Sequence, residues 1–300
     1  MTEIDMIDKQ SYLFKQVQGC SLFADVYRAA GPGPHPAILY LHGGALIFGN
    51  RTWIAEAEAA FYVQAGYTVV SPDYRLAPET KLADIAADVQ DAYDWLVQQG
   101  PALLEIDPAR IAVAGGSAGG YLTLLMGHRV LPRPRALVSF YGYGDIVGDW
   151  YSCPDPYYSM RPRISEAEAR RVVGTSPLAG SDGARLPFYF YTRQNGTWAK
   201  EVAGHDPAHE PDWFVPYCPL RNVDADYPPT LLIHGDQDTD VPCDQSRLMA
   251  AELGRYGVTH ELIVVPGRGH NFNNEGDGLN DPVVAQIYAR VQAFLKDKMD

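Results

Sequence analysis

The chain lacks close cysteine pairs, long apolar runs, basic tracts and internal repeats, and each absence removes a class of protein. Its four cysteines, Cys20, Cys153, Cys218 and Cys243, are scattered with no C-x-x-C pair, so they read as free thiols, not a disulfide framework. No stretch approaches the about 18 apolar residues of a membrane helix. Lysine and arginine number 24 against 37 aspartates and glutamates, giving a formal charge of −13. With no Lys/Arg-rich run, that balance argues against nucleic acid or an anionic membrane as partner. A solvated acidic surface is enough to explain the charge. The start, Met1 to Gln10, is polar and acidic and has neither the basic opening nor the apolar run of a secretory signal; a cytoplasmic protein is expected.

What remains is an ordinary globular composition, with 46% apolar residues over 300 positions, enough to bury a sizeable core. Strand-like segments at Leu22–Tyr27, Ala37–Leu41, Tyr67–Ser71, Arg110–Ala114, Ala136–Phe140, Thr230–His234 and Glu261–Val265 alternate with helical patterns. In Lys81–Gln98, for example, Ile85, Val89, Ala92 and Leu96 recur at helical spacing while Asp84, Asp88, Asp91 and Asp94 take other faces, as a solvated surface would. Such alternation predicts an α/β fold, a mainly parallel sheet covered on both sides by helices. The pattern breaks between about Asp145 and Val223, too long for a plain loop. Residues 1–144 and 224–300 are therefore expected to form one core, with 145–223 an aromatic-rich insertion.

The most informative segment is Gly115-Gly116-Ser117-Ala118-Gly119, which follows the strand-like Arg110–Ala114 and precedes the helix-like Tyr121–His128. A serine on a tight strand-to-helix turn is exposed to a base that can take its proton, and small neighbours let the backbone bend there. Downstream, one strand runs into Asp236, Asp238 and Asp240, and another toward His270. In a parallel sheet those strand ends share an edge with Ser117. Upstream, Ala37–Leu41 leads into His42-Gly43-Gly44-Ala45, where glycines let main-chain N–H groups face a developing oxyanion. His42 and His234, beside a loop and at a strand end, read as structural.

With these motifs, and with Asp73-Tyr74-Arg75-Leu76-Ala77-Pro78-Glu79, His234-Gly235-Asp236-Gln237-Asp238 and Gly269-His270-Asn271-Phe272, the chain resembles the α/β-hydrolase esterases of the hormone-sensitive-lipase-like group. It departs from them in Ala45, where a third glycine is common, and in a short segment before the His-Gly-Gly loop. The resemblance implies an α/β-hydrolase fold with residues 145–223 as a lid. It selects Asp238 among the three aspartates, leaving Asp236 and Asp240 as turn or capping residues. Ser117 would be the nucleophile, His270 the base and Asp238 its acid. The N–H groups of Gly43, Gly44 and Ala118 would form the oxyanion hole, and no cofactor would be needed. Small to medium carboxylic esters are the implied substrates, with Trp150, Tyr151 and Tyr158 of the insertion as candidate pocket residues.

Two other readings stay open. A binding protein on the same fold would have no use for a proton relay. A peptide- or amide-cleaving enzyme would use the same three residues, with Asp145, Asp149 or Asp155 available to hold a free amine. His205 and His209 have the spacing of a zinc pair, but Pro207 opposes a regular helix and no glutamate follows His205, so no metal site is expected. Arg75 reads as a fork tying loop groups together, and Arg193–Trp198 as a polar turn. Oligomeric state is not readable.

Overall fold

A computed structural model describes residues 9–300; for residues 1–8 the reading of the amino-terminal start lies outside it. The strands are β1 (Lys9–Val17), β2 (Cys20–Tyr27), β3 (His35–Leu41), β4 (Thr68–Pro72), β5 (Ile106–Gly116), β6 (Ala136–Phe140), β7 (Thr230–Gly235) and β8 (His260–Val265). They form one sheet in the order β1-β2-β4-β3-β5-β6-β7-β8. The pairings β1/β2 and β2/β4 are antiparallel and the remainder parallel. In β4, β6 and β7 every residue is buried, which is why these segments read as mainly apolar and not as alternating ones.

The helices are α1 (Glu56–Gln64), α2 (Leu82–Leu104), α3 (Ala118–Arg129), α4 (Asp149–Ser152), α5 (Pro156–Ser159), α6 (Glu166–Arg171), α7 (Leu186–Asn195), α8 (Trp198–Ala203), α9 (Asp244–Arg255) and α10 (Pro282–Met299). One sheet face is covered by α1 and α10 through Ala59, Tyr62, Ile287, Val291 and Leu295. The other is covered by α2, α3 and α9 through Ile85, Val89, Leu96, Leu122, Leu125, Met249 and Leu253. Each fully buried Leu, Ile or Val contributes about 1.5–3 kcal/mol, so both layers are anchored by apolar burial. Among the described residues no helix is long and apolar enough to cross a membrane.

Strand β1 was not visible in the sequence. It is an edge strand with most residues exposed, so it shows no apolar run. Its hairpin to β2 turns through Gln18 and Gly19, both at positive φ (51° and 77°), a geometry for which Asn-Gly or Asp-Gly is the usual signal. Missing β1 also hid the partner of Asp88. That aspartate is fully buried, not part of a solvated face: it accepts from Arg75 Nε at 2.7 Å, Arg75 Nη2 at 2.9 Å and Lys15 Nζ at 2.6 Å. Periodicity along α2 places a residue on a face but says nothing of what a neighbouring strand brings to it.

Between β6 and β7, helices α4 to α8 and short 3₁₀ turns occupy the stretch that breaks the alternation. The segment Arg193–Trp198 is not an exposed polar turn. It is the end of α7, a Gly196 cap at φ 63° and the start of α8, with Arg193 and Trp198 buried. The insertion grips the core at several points. Trp198 Nε1 donates to Ala45 O at 3.0 Å, Arg185 Nη1 donates to Ile47 O at 2.7 Å, and Gly49 and Ser181 exchange a backbone bridge.

Candidate active site

Strand β5 ends at Gly116 and α3 begins at Ala118, so Ser117 carries the whole bend, at φ 58° and ψ −122°. A non-glycine residue in that region stores strain, which surrounding structure must hold. Here Ser117 N donates to Phe140 O at 2.9 Å and Ser117 O accepts from Tyr121 N at 2.9 Å. The glycines around it are forced by proximity. A Cβ on Gly119 would stand 1.9 Å from Leu41 O, and one on Gly115 2.5 Å from the same oxygen.

The loop after β8 brings His270 over Ser117. Its Nε2 lies 3.0 Å from Ser117 Oγ and its Nδ1 2.7 Å from Asp238 Oδ2. A carboxylate only accepts, so Nδ1 carries the proton and Nε2 is free to accept from the hydroxyl. Asp238, at the end of the β7 turn, accepts through Oδ1 from Asp240 N (2.8 Å) and Val241 N (2.9 Å). Its Oδ2 also meets His234 Nε2 at 3.2 Å. Burial works against its charge, but the hydrogen bonds from His234 and His270 outweigh it and hold the carboxyl well below the usual range. Burial likewise opposes protonation of His270, yet the charge of Asp240 and the hydrogen bond to Asp238 raise its pKa above the ordinary histidine value.

His234 is fully buried. Its Nε2 faces only acceptors, Asp238 and Val241 O, while Nδ1 meets Ser246 Oγ at 2.7 Å, so the ring fixes the acid from below. His42 has its own structural task. Nδ1 donates to Gly43 O at 2.8 Å, the ring stacks on Tyr74 at 4.0 Å, and burial lowers its pKa to about 4, so it stays neutral. Tyr74 OH donates to His42 O at 2.8 Å, and Arg75, as noted, forks onto Asp88. The Asp73–Glu79 motif thus braces the glycine loop.

Gly43 packs against the elbow, its Cβ position 3.0 Å from Gly116 O and 3.4 Å from Ser117 Cβ. Gly44 takes φ 106°, where an added Cβ would strike Phe48 O. Ala45 itself sits at φ 53°, which accounts for the preference for glycine at this position. Ala118 is the first residue of α3, so its N–H has no acceptor within the helix. All three predicted donors therefore belong to the two loops that meet at Ser117.

A cavity of about 560 Å³ opens on Ser117 and His270. Trp150 and Tyr151 do not line it: they stack on each other at 3.7 Å, Tyr151 stacks on Trp198 at 4.0 Å, and together they form the insertion's own core. Tyr158 is also buried and off the lining, its OH donating to Asp240 Oδ1 at 2.9 Å. The aromatic lining comes instead from Tyr40, Phe48, Trp53, Tyr141, Tyr189 and Tyr288, five of them outside the insertion. Phe48 and Trp53 sit beyond a left-handed stretch at Gly44, Ala45 and Leu46, of which only the first residue is a glycine. None of Asp145, Asp149 and Asp155 lines the cavity; Asp155 is paired with Arg193.

Asp240 was read as a turn or capping residue, and the structure gives it another place. It lines the cavity, with Oδ2 3.5 Å from His270 Nε2. Its Oδ1 accepts from Tyr158, Tyr189 and Arg193. The sequence offered only its position two residues after Asp238, because its partners lie on α5 and α7. Glu58 of α1 is a second unforeseen acid at the cavity, buried against Tyr40 and Tyr62, with burial raising its pKa to about 7. His205 and His209 bind each to a neighbouring acid, and no cluster suited to a metal occurs among the described residues.

A sequence profile of the α/β-hydrolase fold matches residues 38–274. The non-reducing polyketide synthase pkbA of Emericella nidulans is 28% identical over 97% of this chain. The chain spans only 14% of that protein, and 12–14% of the other polyketide synthases that match most strongly. The probable carboxylesterase M8 of a Phoma species is 26% identical over 79% of both chains. Among solved structures, the thermophilic carboxylesterase EstE1 from a metagenomic library superimposes with a TM-score of 0.70 at 24% identity, covering 96% of this chain and 89% of its own.

Proposed function

Because the chain belongs to the α/β-hydrolase fold family, we propose that it is a serine hydrolase that cleaves small to medium carboxylic esters through an acyl-enzyme. The observation that carries this reading is His270 bridging Ser117 Oγ at 3.0 Å and Asp238 at 2.7 Å. Ser117 Oγ attacks the ester carbonyl as its proton passes to His270 Nε2. The oxyanion meets the N–H groups of Gly43, Gly44 and Ala118. Collapse expels the alcohol, which takes the proton from Nε2, and leaves Ser117 acylated. Water then adds, giving its proton to Nε2, and the second collapse returns that proton to Oγ as the carboxylic acid departs. Asp238 holds the imidazole tautomer and stabilises its positive charge throughout.

The kinship with a protein named as a probable carboxylesterase and a cavity of small-molecule size support the ester reading. The insertion at 145–223 serves in this proposal as the lid, supplying Tyr189 to the lining and no reacting group. The scattered free cysteines support a cytoplasmic setting. A fluorophosphonate provides the test. Wild-type protein should gain the adduct mass on Ser117 and lose p-nitrophenyl ester hydrolysis, and Ser117→Ala should lose about four to six orders of magnitude of turnover. Retention of a tenth of the activity in Ser117→Ala would overturn the assignment.

A further inference from the structure

The carboxylate of Asp240 is satisfied at one oxygen and open at the other. Oδ1 accepts from Tyr158 OH at 2.9 Å, Tyr189 OH and Arg193 Nη1 at 3.0 Å, and Arg193 is in turn tied to Asp155. Oδ2 meets only His270 Nε2, at 3.5 Å, and lies at the cavity wall with the Asp240 side chain 20% exposed. Among the described residues the cavity wall also holds Glu58 and Asp277 and no lysine or arginine. A carboxylate fixed by three groups at its back, with its free oxygen turned toward the reacting centre, is built to receive a donor.

Which part of the substrate it receives follows from the histidine. The atom that departs must take its proton from His270 Nε2, so it comes within about 3 Å of that nitrogen, and hence no more than about 6.5 Å from Asp240 Oδ2. The acyl carbon is held on the other side, by Ser117 and the glycine loop. An ammonium nitrogen two carbons beyond the leaving oxygen lies about 3–4 Å from it, and an N–H⁺···O⁻ bond spans about 2.7–2.9 Å. The two lengths together match the gap. We propose that Asp240 is a specificity-determining residue for the leaving group, selecting esters whose alcohol carries a protonated amine. This rests on the ester-hydrolase reading above and names its substrate class.

Two isosteric substrates test it: 2-(dimethylamino)ethyl acetate, cationic at pH 7, and 3-methylbutyl acetate, its neutral counterpart. In wild-type protein the ratio of kcat/KM values should favour the cation by about ten- to a hundredfold, the range of one charge-assisted hydrogen bond. In Asp240→Asn the ratio should fall to near unity. The neutral ester reports what the substitution does to His270, and the ratio cancels it. A wild-type ratio near one overturns the proposal without need of any variant. A ratio that persists in Asp240→Asn also overturns it, placing the selection at another acid such as Glu58. If neither ester is hydrolysed by wild-type protein, and no fluorophosphonate labels Ser117, it is the underlying hydrolase reading that fails.

Discussion

At the scale of single residues, the two aspartates flanking Thr239 do different work. The Asp238 side chain is buried and both its oxygens accept, from Asp240 N and Val241 N at one and from His234 and His270 at the other. Asp238→Asn should cost about four decades of kcat, because an amide favours the wrong imidazole tautomer. Asp236→Asn should cost little, since Asp236 Oδ1 accepts from Gly267 N and Gln237 Nε2 on the surface, away from His270. Steady-state kinetics on the two variants would decide between them, and a crippled Asp236→Asn would mean that the motif had been misread. The pH profile gives a second check. His270 serves as base only when neutral, and its raised pKa puts the acid limb of kcat/KM above pH 6.5. Asp240→Asn removes a negative charge that favours the imidazolium, so the limb should move to lower pH. A limb that stays in place or moves upward would show that Asp240 does not act on His270.

At the scale of elements, the elbow works because α3 can press its first turn against the end of β3. The contact is backbone to backbone, and Gly119 is where it is tightest. Gly119→Ala would drive a methyl into Leu41 O, which is part of a sheet with nowhere to retreat. Overpacking of this kind costs about 1–3 kcal/mol, and the strain would be shared between the helix and the glycine loop proposed to hold the oxyanion donors. A lowered urea midpoint with parallel loss of activity is expected. Gly257→Ala makes a useful contrast, since that glycine has open space around it and its cost should come from the left-handed backbone alone.

At the scale of the whole molecule, the sheet edge supplies the chemistry and the layers around it supply the walls. The insertion contributes one aromatic ring, Tyr189, and the buried Arg193 that holds Asp240 in place. The remaining lining comes from β3 and the segment after it, from α1, from the residues at the ends of β5, β6 and β7, from the loop that carries His270 and from Tyr288 of α10. Substrate size should therefore answer to Phe48, which packs against both Trp53 and Tyr189, and not to Trp150. Phe48→Ala should change the ranking of acyl-chain lengths by about 1–3 kcal/mol, while Ser117 still takes the phosphonate label. Trp150→Phe should leave the ranking as it was. A p-nitrophenyl ester series from acetate to octanoate would read both, and an unchanged series in Phe48→Ala would show that the cavity described here is not where the acyl chain lies.

The sequence by itself determined the parallel sheet, because strands buried on both faces are mainly apolar without alternation, as β4, β6 and β7 are. It also put Ser117, His270 and three candidate acids, Asp236, Asp238 and Asp240, at or just beyond strand ends, which converge in a parallel sheet; the choice of Asp238 among them came from the family resemblance. Those inferences rest on local patterns, and local patterns are what a chain displays. The tertiary structure decided everything that depends on partners distant in sequence. Edge strand β1 hides behind polar residues, and with it the reason Asp88 is buried. The aromatics of the insertion pack on one another because Trp150, Tyr151 and Trp198 reach across helices whose mutual placement no periodicity encodes. Asp240 became a cavity group because tyrosines and an arginine from α5 and α7 arrive at one of its oxygens and leave the other facing His270. Composition and spacing can say that an acid is present; only the packing of separate elements says which of its oxygens is free.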